Sequence, residues 1–177
     1  MLKNGLKNGK DKNINIPVFI KISPDLEIHD LENIINVAIK KNVTGLIISN
    51  TTVDRDLGLK TIHKKESGGL SGRPLFKKST DTLIKANKIA KKYNAKLYFI
   101  AVGGIEDPIT AYIKILCGAH LLQLYTSLTF QGPFAVKKIL DGLKMLMKRD
   151  KLKNFDKVRG IAKTFEQAKK IASTGLR

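Results

Sequence analysis

Four short, continuously apolar runs constrain this chain more than any other feature. They are Ile16-Pro17-Val18-Phe19-Ile20-Lys21-Ile22, Gly45-Leu46-Ile47-Ile48-Ser49, Lys96-Leu97-Tyr98-Phe99-Ile100-Ala101 and Leu121-Leu122-Gln123-Leu124. None alternates apolar with polar residues, as a strand with one wet face would. Continuous runs are what burial on both faces of a parallel sheet requires. Between them, apolar residues recur at helical spacing. Leu31, Ile34, Ile35 and Ala38 form one such stripe, and Leu83, Ala86, Ala90 and Tyr93 a second. Asp107-Pro108 reads as an N-cap followed by proline at the first helical position, opening a helix that stops near Gly118. Val136, Ile139, Leu140, Leu143 and Met147 mark one face of the last major helix. Four βα units in series mean an α/β chain, either an open doubly wound sheet or part of a (β/α)8 TIM barrel. A whole barrel takes about 250 residues, so 177 residues supply roughly half of one.

The expected organisation is a polar segment over 1–15, the βα units over 16–150, and a tail over 151–177. Lys148 to Asn154 reads as a polar linker. Thr164 and Gln167 have capping-box spacing ahead of a short helix carrying Phe165, Ala168 and Ala172. No run is apolar for 18 residues, and Met1 to Asn15 lacks the apolar core of a secretory signal.

The net charge is +18, with 33 basic and 15 acidic residues. Such a charge can serve nucleic acid, but here it is spread over pairs: Lys40-Lys41, Lys64-Lys65, Lys77-Lys78, Lys91-Lys92 and Lys137-Lys138. Most of these pairs fall at predicted helix ends, where cations complement the helix dipole. A solvated, lysine-rich surface is the expectation, with no nucleic-acid partner. Cys117 is the one cysteine, so the chain forms no internal disulfide. His29, His63 and His120 have no ligand spacing, and no metal is expected.

In parallel α/β folds, function lies at the C-terminal ends of the strands. The four ends here carry Lys21, then Ser49-Asn50-Thr51-Thr52, then Gly103-Gly104, then Tyr125-Thr126. A lysine at the end of a buried strand is costly unless an anion meets it. Asn50 and Thr51 offer amide and hydroxyl groups to a planar polar substrate. Glycines let backbone N–H groups approach a ligand, and barrels often bind phosphate in the loops after their last two strands. Asn50 to Pro74 is an unusually long connection, and long βα connections usually carry function. It ends in Gly68-Gly69-Leu70-Ser71-Gly72-Arg73-Pro74-Leu75, a backbone suited to closing over a cofactor.

These residues resemble the class 2, quinone-linked dihydroorotate dehydrogenases. The resemblance runs in order through Val18 to Leu26, Gly45 to Thr52, Gly68 to Leu75, Ala101 to Ile105 and Gly118 to Thr126, covering residues 17 to 150. It implies the C-terminal half of a (β/α)8 barrel that holds FMN and oxidises dihydroorotate to orotate in pyrimidine synthesis. By motif match, Lys21, Ser49, Gly72, Gly103, Gly104, Tyr125 and Thr126 would contact FMN, the last two holding its phosphate. Asn50 and Thr51 would bind orotate. Ser49 stands where the family usually has threonine. The family's catalytic serine lies in the N-terminal half, so no catalytic base is assigned here; Ser23, Ser67, Ser71 and Ser79 lie outside its motif. Expected partners are dihydroorotate or orotate, a quinone reached through the N-terminal region, and the missing N-terminal half-barrel. The implied location is the mitochondrial inner membrane in a eukaryote, or the cytoplasmic membrane in a bacterium. Three other readings stay open: a different FMN- or phosphate-binding barrel enzyme, a truncated non-catalytic half-barrel, and a basic nucleic-acid-binding module.

Overall fold

The computed structural model describes residues 16–58, 64 and 67–176; the segment 1–15, His63 and Lys65 lie outside them. Strands β1 (Phe19–Ile22), β2 (Gly45–Ile48), β3 (Tyr98–Val102) and β4 (Leu121–Gln123) form one parallel sheet in the order β1-β2-β3-β4. Helices α1 (Ile28–Lys40), α2 (Leu75–Lys92) and α3 (Pro108–Leu116) form the crossovers. Beyond β4 come α4 (Thr126–Gln131), α5 (Phe134–Arg149) and α6 (Phe165–Thr174). Sequential strands paired in order, each followed by a helix, are the arrangement of consecutive units in a barrel.

Register explains the two faces of the sheet. Lys21 pairs with Ile47, Ile47 with Ile100, and Ile100 with Leu121. These side chains share a face that is half-buried or exposed, Leu121 by 60%. Ile22, Leu46, Ile48, Phe99 and Ala101 point the other way and join the helices in one core. The apolar runs led us to expect burial on both faces. In this chain the helices cover one face, and the concave face of the partial barrel stays open.

Helix boundaries follow from capping and packing. Asp107 Oδ1 accepts from the Thr110 N–H at 2.7 Å, and Thr110 Oγ1 accepts from the Asp107 N–H at 3.0 Å, closing a capping box before Pro108. Helix α2 begins at Leu75, more than two turns before the expected stripe. After Leu75 its early buried positions are Ser79, Thr80 and Thr82, which apolar periodicity could not reveal. In α5 the buried residues are Ala135, Ile139, Leu143 and Leu146, while Val136 and Leu140 face outward. Helix α5 continues to Arg149, and Leu152 packs on the core, so Lys148 to Asn154 is not a free linker. Thr164 caps α6 by accepting from the Gln167 N–H at 3.1 Å; the Gln167 side chain reaches Lys163 instead of closing the box. Helix α6 packs on α2 and α3, with Phe165 edge-on to Phe76 at 5.8 Å.

The lysine pairs depart from the dipole expectation in two places. Lys40-Lys41 and Lys91-Lys92 do end helices. Lys77-Lys78 and Lys137-Lys138 instead lie near helix starts, where Lys77 is matched by Asp81 and Lys137 by Asp141.

Candidate cofactor site at the strand ends

The long connection after β2 is tied down at its base. Thr52 and Leu70 exchange both backbone hydrogen bonds, at 3.1 and 2.7 Å, so the chain leaves and returns as a hairpin stem. Arg55 adds a bond to the Gly68 carbonyl at 2.6 Å. Asp25, in the loop after β1, accepts from the Thr52 hydroxyl and from the Val53 N–H at 3.0 Å. Lys78 of α2 meets Asp25 at 2.6 Å and Asp54 at 3.0 Å. Burial pushes the Asp25 carboxyl up, but the bonds from Lys78, Thr52 and Val53 outweigh it and hold the group below its ordinary range. Burial also works against the Lys78 ammonium, and its two carboxylates raise it above its usual value. The strand ends of β1 and β2 are thereby locked to α2.

That stem delivers Ser71 and Gly72 to the ends of β3 and β4. A cavity of about 440 Å³ opens there, lined among others by Ser71, Gly72, Gly103, Gly104, Tyr125, Thr126 and Ser127. Thr126 Oγ1 donates to Ser71 Oγ at 3.0 Å, joining the two loops. Arg73 and Glu106 close the rim at 2.8 Å, and the bond that Arg73 donates to the Glu106 carboxylate raises its guanidinium above the ordinary value. Gly104, at φ +70°, lies against Phe76 so closely that a Cβ would overlap its side chain. The Ser127 hydroxyl is buried and has no hydrogen-bond partner among the described residues. A buried hydroxyl left unpaired costs on the order of 1–3 kcal/mol, and the Ser127 oxygen is closed off from solvent beside the cavity. Glycine backbone and clustered hydroxyls are a donor set that suits a phosphoryl group.

The residues picked out in the sequence divide into three places. Gly72, Gly103, Gly104, Tyr125 and Thr126 share the cavity. Asn50 and Thr51 lie exposed beyond β2, with Gly69 drawn so close that a Cβ would overlap the Thr51 side chain. Ser49 is buried after a cis Ile48–Ser49 peptide, and its hydroxyl donates to the Asn50 carbonyl at 2.8 Å. Lys21 is exposed rather than buried, because the concave face it projects from is open in this chain; it lines a separate groove with Ile34 and Val37. Ser71, Ser127 and the Lys78 cluster were not foreseen. Their signal is spatial, since residues 25, 54 and 78 meet only through the fold. A larger cavity of about 740 Å³, with Asn87, His120 and Arg159 in its lining, lies at the opposite end of β3 and β4. In barrels that end is the structural one.

Fold and site together define an α/β barrel segment with a glycine- and hydroxyl-lined cavity at the C-terminal ends of β3 and β4. The family described as Dihydroorotate dehydrogenase matches residues 1–147. The chain is 42% identical over 135 residues to the dihydroorotate dehydrogenase (quinone) of Cereibacter sphaeroides, covering 76% of this chain and 37% of the relative. With the Sinorhizobium fredii enzyme of the same name it shares 43% identity over 145 residues, covering 81% and 39%. Among solved structures, ligand-free DHODH from Eimeria tenella superposes with a TM-score of 0.75 at 35% identity, covering 81% of this chain and 39% of that one. The chain belongs to the dihydroorotate dehydrogenase family. It spans about two fifths of the length of these relatives, 37% and 39% of the two enzymes named.

Proposed function

We propose that this chain supplies the FMN-phosphate cradle and part of the orotate site of a quinone-linked dihydroorotate dehydrogenase working in pyrimidine synthesis. The observation that carries the reading is the convergence of Gly72, Gly103, Gly104, Tyr125 and Thr126 on one cavity at the ends of β3 and β4. The FMN phosphate fits there, held by the glycine backbone and the linked hydroxyls of Thr126 and Ser71. FMN, when bound, supplies the two-electron redox chemistry. Asn50 and Thr51 orient the substrate ring, and Lys21 places a cation on the concave face, toward the flavin.

The catalytic base comes from outside this span, so residues 1–177 alone turn over no dihydroorotate. The remaining units of the barrel are the expected partner. Among the described residues both sheet edges, β1 and β4, are unpaired, and Leu121, Phe130 and Phe134 are exposed beside β4. Unpaired edges with apolar flanks demand further strands. Association with a quinone-bearing membrane, mitochondrial or bacterial, is part of the same proposal and depends on the rest of the protein. Titrating FMN and riboflavin into the chain tests the cradle: the phosphate should tighten binding at least tenfold. Equal affinities would overturn the reading.

A further inference from the structure

Lys114 is the least expected side chain in the molecule. It sits in the middle of α3 with no measurable exposure, surrounded by Tyr112, Ile113, Ile115 and Leu116, which are also buried. A buried amine needs partners, yet among the described residues no carboxylate lies within ion-pair distance of it. Its Nζ donates to Ser79 Oγ at 2.6 Å and stands over the Phe76 ring at 5.1 Å. The Ser79 hydroxyl then has one proton to give. It is shared between the Phe76 carbonyl at 3.1 Å and the Gly103 carbonyl at 3.3 Å.

Gly103 is the first residue of the glycine pair that lines the cavity. Its φ is +103°, and a Cβ on it would stand 2.8 Å from Ser79 Oγ, so the approach of the two residues depends on glycine. In a trans peptide the C=O and the following N–H point in opposite directions. Ser79 holds the Gly103 carbonyl toward α2 and Lys114, which turns the Gly104 N–H away from them. That N–H has no acceptor among the described residues, and Gly104 lines the cavity.

We propose that Lys114 is a positioning residue for the anion cradle. Through the Ser79 hydroxyl it fixes the Gly103–Gly104 peptide with the Gly104 N–H facing the cavity, and its charge strengthens the field that a phosphoryl group meets there. This rests on the cradle reading above. Burial pushes the Lys114 amine down to about 7. The titratable groups that act on it are the Cys117 thiol on its own helix and Asp81 on α2, the latter already paired with Lys77 at 2.7 Å. A phosphate dianion in the cavity favours the charged amine, so binding and protonation are linked. As pH rises above 7 the free protein loses that proton, and phosphate recognition weakens.

The test is the ratio of riboflavin to FMN dissociation constants, measured by flavin fluorescence at pH 7 and pH 9. The FMN phosphate is essentially a dianion across this range, its second ionisation lying near 6 by analogy with phosphorylated side chains. The wild-type chain is expected to prefer FMN, and the preference to fall about tenfold by pH 9, the scale of one buried charge nearby. Lys114→Met keeps the volume and should lower the preference about tenfold at pH 7 and abolish its pH dependence, with riboflavin affinity unchanged. A wild-type ratio and slope in Lys114→Met would overturn the inference. Ser79→Ala deletes a single hydroxyl and serves if Lys114→Met does not fold. It should lower the ratio at pH 7 while keeping the slope, and an unchanged ratio in Ser79→Ala would also overturn the inference. Equal FMN and riboflavin affinities in the wild-type chain would instead sink the cradle reading itself.

Discussion

The Thr126 hydroxyl donates to the Ser71 hydroxyl at 3.0 Å, joining residues 55 positions apart in the chain. One lies in the returning arm of the long β2–α2 connection, the other just beyond β4. Their contact closes the cradle and makes the long connection part of it. Thr126→Val preserves shape but removes the hydroxyl. The FMN dissociation constant should rise about fivefold, the scale of one hydrogen bond, with riboflavin unaffected. Isothermal titration of both flavins reads this directly.

Two glycines separate backbone strain from local crowding. Gly72 and Gly132 both have φ of +72°, but a Cβ on Gly72 would lie 3.1 Å from Thr126 Cγ2, and one on Gly132 would meet nothing within 4 Å. Gly132 has ψ −174°, a backbone region essentially reserved for glycine, so Gly132→Ala should cost about 1–3 kcal/mol from strain alone. Gly72→Ala should cost about 2 kcal/mol or more, since Thr126 must also shift. Urea unfolding of both variants checks the two losses, and a Gly72→Ala loss well below about 1 kcal/mol would mean the Thr126 contact is compliant.

The Lys78 cluster predicts an acid limb. Asp25 and Asp54 are held below their ordinary values. Their contribution is therefore fully present above the unfolded value of about 4, and it is lost as pH falls through the depressed folded values. Lys78→Met should lower the urea midpoint at pH 6 and make it less sensitive to pH between 5 and 2. A variant as acid-sensitive as the parent would assign the limb to other carboxylates.

Cys117 should be chemically silent in the folded chain. It is fully buried, and burial drives its thiol up to about 12. Only the thiolate reacts, so iodoacetamide at pH 8 should leave it unmodified until denaturant is added. Mass spectrometry before and after unfolding checks this. Rapid labelling of the native chain would show that α3 opens readily.

The four βα units were legible because each strand is a short apolar run and each crossover announces itself by a stripe or a cap, as Asp107-Pro108 does. The start of α2 was not, since Ser79, Thr80 and Thr82 are buried polar residues whose hydroxyls bond back to carbonyls of their own helix. The face of α5 was misplaced toward Val136 and Leu140 because an apolar residue need not be buried. Five site residues that meet in one cavity were readable from their places after β3, after β4 and in the glycine-rich arm. Ser127 was not, because an unpaired hydroxyl is a property of its surroundings. Lys114 could not be either, since its importance arises from the Ser79 and Gly103 it meets across the fold.

The most direct test of the cradle is a titration of the [15N]glycine-labelled chain with FMN and with riboflavin, followed by amide NMR. The account predicts that the Gly72, Gly103 and Gly104 signals move with FMN far more than with riboflavin, while Gly58, Gly142 and Gly175 stay in place. If those three signals stay fixed while others respond, or the two flavins give the same pattern, the phosphate does not bind at the ends of β3 and β4 and the central claim fails.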